Sequence, residues 1–198
     1  MSGDVHMTVG AVTAVIVSMP KTIPEFLGAV AVGAVAGLFC DVDSKKSKGS
    51  RLLYGVLSTM ITALIATCFV SRIFPAISIR NFVNSVKPTQ LIGFSGFIFM
   101  ALLGTKMPHR RVTHSIEYIL ITTIFVALVD CHLAFMFFIS ALTHPCLDIL
   151  NKRKVKVSLL FHLDIAFAIC PSSCGIGTLI TTLSTICLAI YPAVRFLV

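Results

Sequence analysis

Residues 133–150 read LAFMFFISALTHPCLDIL. The run is apolar and has the length of a membrane-crossing helix, which needs about 20 residues for a hydrocarbon core of about 30 Å. Near its end it carries His144 and Asp148 at i and i+4, one above the other on a helix face. An Asp at the centre of a membrane helix costs about 2.5–3.5 kcal/mol. Such a pair either satisfies itself through a buried hydrogen bond or supplies two ligands to a metal inside a helical bundle. Pro145, between the two, removes one intrahelical hydrogen bond and is expected to kink the helix or mark its broken start.

The rest of the chain has the same character. Of 198 residues, 57% are hydrophobic and 12% charged, with mean hydropathy +0.97. A soluble domain carries about 25% charged residues. This apolar excess is more than one soluble core can bury, so residues 1–198 are expected to form a single membrane-embedded domain. The net charge of +8 then reports topology and contact with anionic lipid headgroups. Nucleic acid is not an expected partner: no basic stripe alternates with aromatics, and Trp is absent. Most of the 7 cysteines, among them Cys40, Cys68, Cys131 and Cys187, lie in apolar runs and act as small hydrophobes. Cys170 and Cys174 have a C-x3-C spacing that is not a usual zinc pair. The start, MSGDVHM, has no basic region typical of a cleavable signal.

Apolar runs at 7–19, 23–40, 52–70, 91–103, 112–129, 133–150 and 176–198 predict an all-α fold. The expected architecture is a polytopic transmembrane helical bundle of about six apolar helices. The first run is short, a half-spanning helix or the packed start of a helical hairpin, and Pro20 and Pro24 bracket its break from the second. Gly28, Gly33 and Gly37 form a small-residue face along the second run, suited to close helix approach. Residues 71–88 read as a connector whose 73–79 portion lies in the membrane interface, and 157–169 as a short hairpin or irregular surface segment.

If each long run crosses once, the ends near Asp41, His109 and Asp148 lie on one side of the membrane. His6 joins them by counting back through the proline turn. Most Lys and Arg residues, including Lys45, Lys46, Lys48, Arg51, Lys106, Arg110, Arg111 and the 152–156 group, fall on that side, which is therefore predicted to face the cytoplasm. Three of the 8 acidic residues, Asp41, Asp43 and Asp148, belong to clusters at these ends. Asp41 and Asp43 offer hard oxygen donors from a segment just past a helix end, or form a solvated turn balanced by KKSK. His109 and His114 flank RRVT, where Thr113 or Ser115 can cap the next helix. The adjacent Arg110 and Arg111 suit a phosphate, or the loop simply grips lipid headgroups. Together the clusters offer enough donors for one or two divalent ions, zinc first, manganese or magnesium next. A bound ion brings the pKa of its water towards about 7.

At these residues the chain resembles the YdjM-like family of membrane-bound, metal-dependent hydrolases of the inner membrane. The matching patches are Cys40-Asp41-Val42-Asp43-Ser44, His109-Arg110-Arg111-Val112-Thr113-His114-Ser115 and Thr143-His144-Pro145-Cys146-Leu147-Asp148, with His6 near the N-terminus. Ser44 stands where the family usually has His, Arg111 where it has Gly, and Pro145 is unusual in the helical motif. The resemblance implies a metal-dependent hydrolase.

The expected activity is hydrolysis, by metal-activated water, of a phosphoester or other ester in an anionic, lipid-like substrate at the cytoplasmic leaflet. The expected ligands are His6, Asp41, Asp43, His109, His114, His144 and Asp148. Arg110 is the expected anion-binding residue, and Glu117, one turn beyond His114, a candidate base. The alternative from another class is a non-enzymatic divalent-metal transporter or sensor, whose ligands would lie near the membrane midplane; a third is a regulatory or scaffold protein. A metal-free phosphohistidine lipid phosphatase would need Lys-x6-Arg-Pro and Pro-Ser-Gly-His patches, and neither occurs.

Overall fold

The computed structural model describes residues 2–45, 47–73, 86–152, 154–167 and 175–196. Helices dominate: α1 (Gly3–Ser18), α2 (Ile23–Phe39), α3 (Lys48–Ile73), α4 (Pro88–Gly104), α5 (Ile116–Val129), α6 (Cys131–Ile149) and α7 (Gly175–Phe196). A 3-10 turn, Cys40–Asp43, follows α2 directly. A small antiparallel hairpin, β1 (Val155–Ser158) and β2 (Leu163–Ile165), follows α6. The all-α class therefore holds, with the hairpin as its one described departure. Three described helical stretches are long and apolar enough to cross a membrane: Ile23–Asp43, Cys131–Ile149 and Gly175–Phe196. The apolar helices Gly3–Ser18, Pro88–Gly104 and Ile116–Val129 are shorter. The predicted interfacial portion 73–79 falls almost wholly outside the described residues, as do Lys46, Arg80, Arg153 and the Cys170–Cys174 pair.

Local chemistry sets the helix boundaries. Thr22 caps α2, its hydroxyl accepting from the Glu25 N–H, and Pro24 occupies the first turn, where its missing N–H costs nothing. Ser115 caps α5 by accepting from the Tyr118 N–H at 3.2 Å. The helix thus starts at Ile116, later than the apolar pattern from residue 112 predicts, and residues 105–115 form a loop. Asp130 ends α5 and caps α6, its Oδ1 accepting from Leu133 N–H at 2.8 Å. α6 runs through Pro145 without a break.

α1 packs on α2, and both pack on α6. The α1–α2 contact is a small-residue seam. A Cβ on Gly10 would collide with the Gly33 carbonyl, one on Gly33 with the Gly10 carbonyl, and one on Gly37 with the His6 carbonyl. Ala11 and Ala14, both buried, pack against Gly33 and complete it. In a bilayer, where lipid is as apolar as any side chain, such close backbone approach is the main source of helix affinity. The predicted glycine face is corrected in one respect. Gly28 has open space where a Cβ would stand, and Gly10, on the partner helix, belongs to the seam instead. The aromatic core lies between α2, α4, α5 and α6, where Phe39 packs against Phe97, Tyr118 and Phe137. The Tyr118 hydroxyl donates to the Met100 carbonyl at 2.5 Å.

Candidate metal centre

The fold delivers four segments to one place: the first turn of α1 (His6), the turn after α2 (Asp41, Asp43), the 105–115 loop (His109, Arg110, His114) and the last turns of α6 (His144, Asp148). The α1–α2 seam does the first part, because the close contact at Gly37 brings His6 alongside the end of α2. His6 and His144 then stack, with centroids 3.7 Å apart and planes 16° from parallel. His114 meets His144 edge-on at 4.9 Å. The convergence expected from topology is thus present: His114 stands 3.7 Å from Asp43 and 3.5 Å from Asp148.

Hydrogen bonds assign the imidazole protons. His144 Nδ1 lies 2.6 Å from the Gly37 carbonyl oxygen. A carbonyl only accepts, so Nδ1 carries a proton, and in the neutral imidazole Nε2 keeps the lone pair. That lone pair points at Asp41 Oδ1, 3.5 Å away. The Thr113 hydroxyl donates its single proton to Asp43 Oδ2 at 2.6 Å, and therefore accepts from His114 Nδ1 at 3.0 Å. Burial holds His114 below the ordinary histidine pKa, and in the neutral ring its Nε2 is also a bare lone pair. It faces Asp148 Oδ2 at 3.5 Å. His6 Nε2 stands 3.3 Å from the other oxygen of Asp148.

With both imidazoles neutral, two buried lone pairs each aimed at a carboxylate oxygen are repulsive unless a cation stands between them. Neither His114 Nε2 nor His144 Nε2 has a hydrogen-bond partner, although buried polar atoms are almost always paired. Tetrahedral coordination with bonds of about 2.0–2.1 Å puts neighbouring donors about 3.3–3.4 Å apart, close to the separations here. Ligand atoms of His6, His144 and Asp148 lie within 4.8 Å of one another, as do those of Asp41, His114 and His144, and of Asp41, Asp43 and His109. The donor set therefore fits a divalent cation. Fixing Nδ1 by a backbone carbonyl or a relay to a carboxylate, and so freeing Nε2, is how metal-binding imidazoles are oriented.

The other expected residues divide by position. Both oxygens of Asp43 are engaged, by His109 Nδ1 at 2.6 Å, the Arg110 N–H at 3.0 Å and the Thr113 hydroxyl. His109 is open to solvent, its side chain 42% exposed, and its pKa is raised by the hydrogen bond to Asp43. Arg110 has φ 63°, in the left-handed region, a strained backbone of the kind found at functional sites. It places Nη2 3.3 Å from Asp148 Oδ2, and its buried Nε and Nη1 have no hydrogen-bond partner. Arg111, by contrast, has an ordinary φ, so the loop accepts a side chain there without strain. Glu117 is turned elsewhere: its carboxylate accepts from the Ser158 hydroxyl at 2.5 Å and from the N–H groups of Leu159 and Leu160. Its described contacts tie it to the hairpin and give no support to the candidate-base role.

Three contributors are not among the site residues read from the sequence. Thr113, weighed there only as a cap, orients His114. The Gly37 carbonyl orients His144. Asn151 donates to Asp148 Oδ1 at 2.8 Å. A Thr immediately before a His is the one legible hint among them.

The chain matches the family described as YdjM inner membrane protein over residues 1–192. No curated protein matches it, and no solved structure does.

Proposed function

The chain belongs to the YdjM inner membrane protein family, an integral protein of the inner membrane, and on that premise we propose that it is a metal-dependent hydrolase of an amphiphilic ester. The observation that carries the reading is the pair of buried, unbonded Nε2 atoms facing Asp41 and Asp148. His6, Asp41, His114, His144 and Asp148 form the inner ligand set of the proposal. Asp43 and His109 stand outside it, Asp43 because its oxygens are already occupied in orienting Thr113, His109 and the Arg110 backbone. A second ion at Asp41, Asp43 and His109, whose ligand atoms also lie close together, would have to displace these hydrogen bonds. The imidazole-rich inner set favours zinc over magnesium.

A divalent ion held there supplies Lewis-acid polarisation of an ester oxygen and an acidified water. The chain supplies the rest. Arg110 offers two buried N–H-bearing nitrogens without partners, matched to the oxygens of a phosphoester. Its ion pair to Asp148 places them beside the inner set. His109, paired with Asp43 and open to solvent, is placed to exchange a proton with bulk water. The proposed architecture is the polytopic bundle of about six apolar helices, in which the shorter helices join the three long ones. The proposed orientation puts the centre at the cytoplasmic leaflet, because the loops around it carry most of the Lys and Arg. Its position at helix ends favours chemistry on a lipid-like substrate over carriage of the ion across the membrane.

Metal analysis of the purified protein tests this reading. Wild type is expected to retain stoichiometric divalent metal, and Asp41→Ala and His144→Ala only traces. Equal trace metal in all three would remove the proposal. Phospholipid and isoprenoid phosphates in detergent then serve as substrates; hydrolysis that persists in chelator argues against metal-activated water. Bound metal with no hydrolysis of any ester would turn the reading to a transporter or sensor.

Thr113→Val provides a finer check. It removes the hydroxyl that relays Asp43 to His114, and loss of such an orienting partner typically lowers metal affinity about 10–100-fold. Competition against a chromophoric chelator measures this. Thr113→Ser, which keeps the hydroxyl, is expected to restore most of the affinity.

A further inference from the structure

The hairpin after α6 has features that the metal centre does not use. Its turn presents Leu160 at 77% and Phe161 at 84% exposure, and Phe167 beyond β2 is also exposed. Large apolar side chains clustered at an exposed tip mark a surface meant for a partner. What that partner is follows from the anchor of the turn. Glu117 accepts from the Ser158 hydroxyl and from the N–H groups of Leu159 and Leu160. On α5, Glu117 heads the stripe Leu120, Ile121, Ile124 and Leu128, spaced i+3, i+4, i+7 and i+11, and every member of that stripe is exposed. An exposed apolar stripe on a helix of an integral membrane protein faces lipid. The turn is therefore fastened over the lipid-facing side of α5, at the helix end where the bilayer meets water.

Charge agrees with this placement. Lys152 and Lys154 precede β1 and are exposed. Lys156, by contrast, stands opposite Asp164 in the strand register, so its charge has a cross-strand counterpart. Basic residues beside an apolar tip are the pattern that binds anionic leaflets.

We propose that the β1–β2 hairpin is an interfacial anchor: Leu160 and Phe161 insert into the leaflet beside α5, Lys152 and Lys154 bind anionic lipid headgroups, and Glu117 holds the turn in place. The anchor is tied to the centre, since the Lys156 N–H donates to the Arg110 carbonyl at 3.2 Å. The inference does not rest on the metal or on the proposed hydrolysis.

The chain has no Trp, so Phe161→Trp in the full-length protein is a sole indole reporter. It is reconstituted in vesicles of phosphatidylcholine, with or without phosphatidylglycerol, carrying brominated acyl chains. The expected result is blue-shifted emission, strong quenching by the brominated chains and weak quenching by acrylamide. Water-like emission, open to acrylamide and untouched by bromine, overturns insertion. Quenching is expected to deepen with phosphatidylglycerol, and that gain to vanish when Lys152→Gln and Lys154→Gln are added; equal quenching in both lipids overturns the headgroup contact. Glu117→Ala in the reporter background is expected to lose the bromine quenching. Full quenching there overturns its role as the anchor.

Discussion

Asp148→Ala is expected to reduce bound metal to traces and to destabilise the folded protein by about 3–5 kcal/mol, the usual cost of removing one partner from a buried ionic cluster. Asp148 is buried at the end of α6. Its oxygens stand 3.3 Å from His6 Nε2, 3.5 Å from His114 Nε2 and 3.3 Å from Arg110 Nη2, and one accepts from Asn151. The substitution takes a ligand from the centre and also strips the Arg110 guanidinium, whose Nε and Nη1 already lack hydrogen-bond partners, of its ion pair. Metal content and equilibrium unfolding in detergent report the two losses separately. Asp148→Asn keeps the shape and the contact with Asn151 but not the charge, so it should retain more stability than metal. Wild-type metal in Asp148→Ala would show that the inner set is not the binding site.

Gly37→Ala should have the second largest effect, although Ala is the better helix former by about 0.8–1 kcal/mol. The added Cβ meets the carbonyl of His6, which is backbone and has no rotamer to give. The two helices must part, at an overpacking cost of about 1–3 kcal/mol. The same movement separates His6 from His144 and shifts the Gly37 carbonyl that holds His144 Nδ1. Loss of metal and a lowered unfolding midpoint are expected together. Gly28→Ala is the internal control, on the same helix but with open space at its Cβ, and should stay within about 0.5 kcal/mol of wild type. If both glycine variants behaved alike, the seam would not be what positions His6.

The site and the fold differ in how far they were legible. His144 and Asp148 could be read from one helix because an i, i+4 spacing is local geometry. Convergence of the three patches was the expectation of a count in which each apolar run crosses once, and such a count needs no side-chain detail. The start of α5 was misplaced by the apolar pattern because Val112 belongs to a loop whose boundary is set by the Ser115 cap. Glu117 is a candidate base by its closeness to His114 in sequence, and its described partners are not legible there. Its carboxylate instead meets donors some forty residues away, and no local rule announces such a pairing.

Membrane residence and the helical class were settled by the sequence alone, because hydrophobic run length is a property of the chain before it folds. Tertiary structure decided the protonation pattern: which nitrogen of His114 and His144 is left bare depends on Thr113 and on the carbonyl of Gly37, partners chosen by packing. It also decided that Gly10, and not Gly28, meets Gly33 and Gly37. Helix rotation selects the contacting face, and in a chain apolar on nearly every side no periodicity in the residues specifies that rotation.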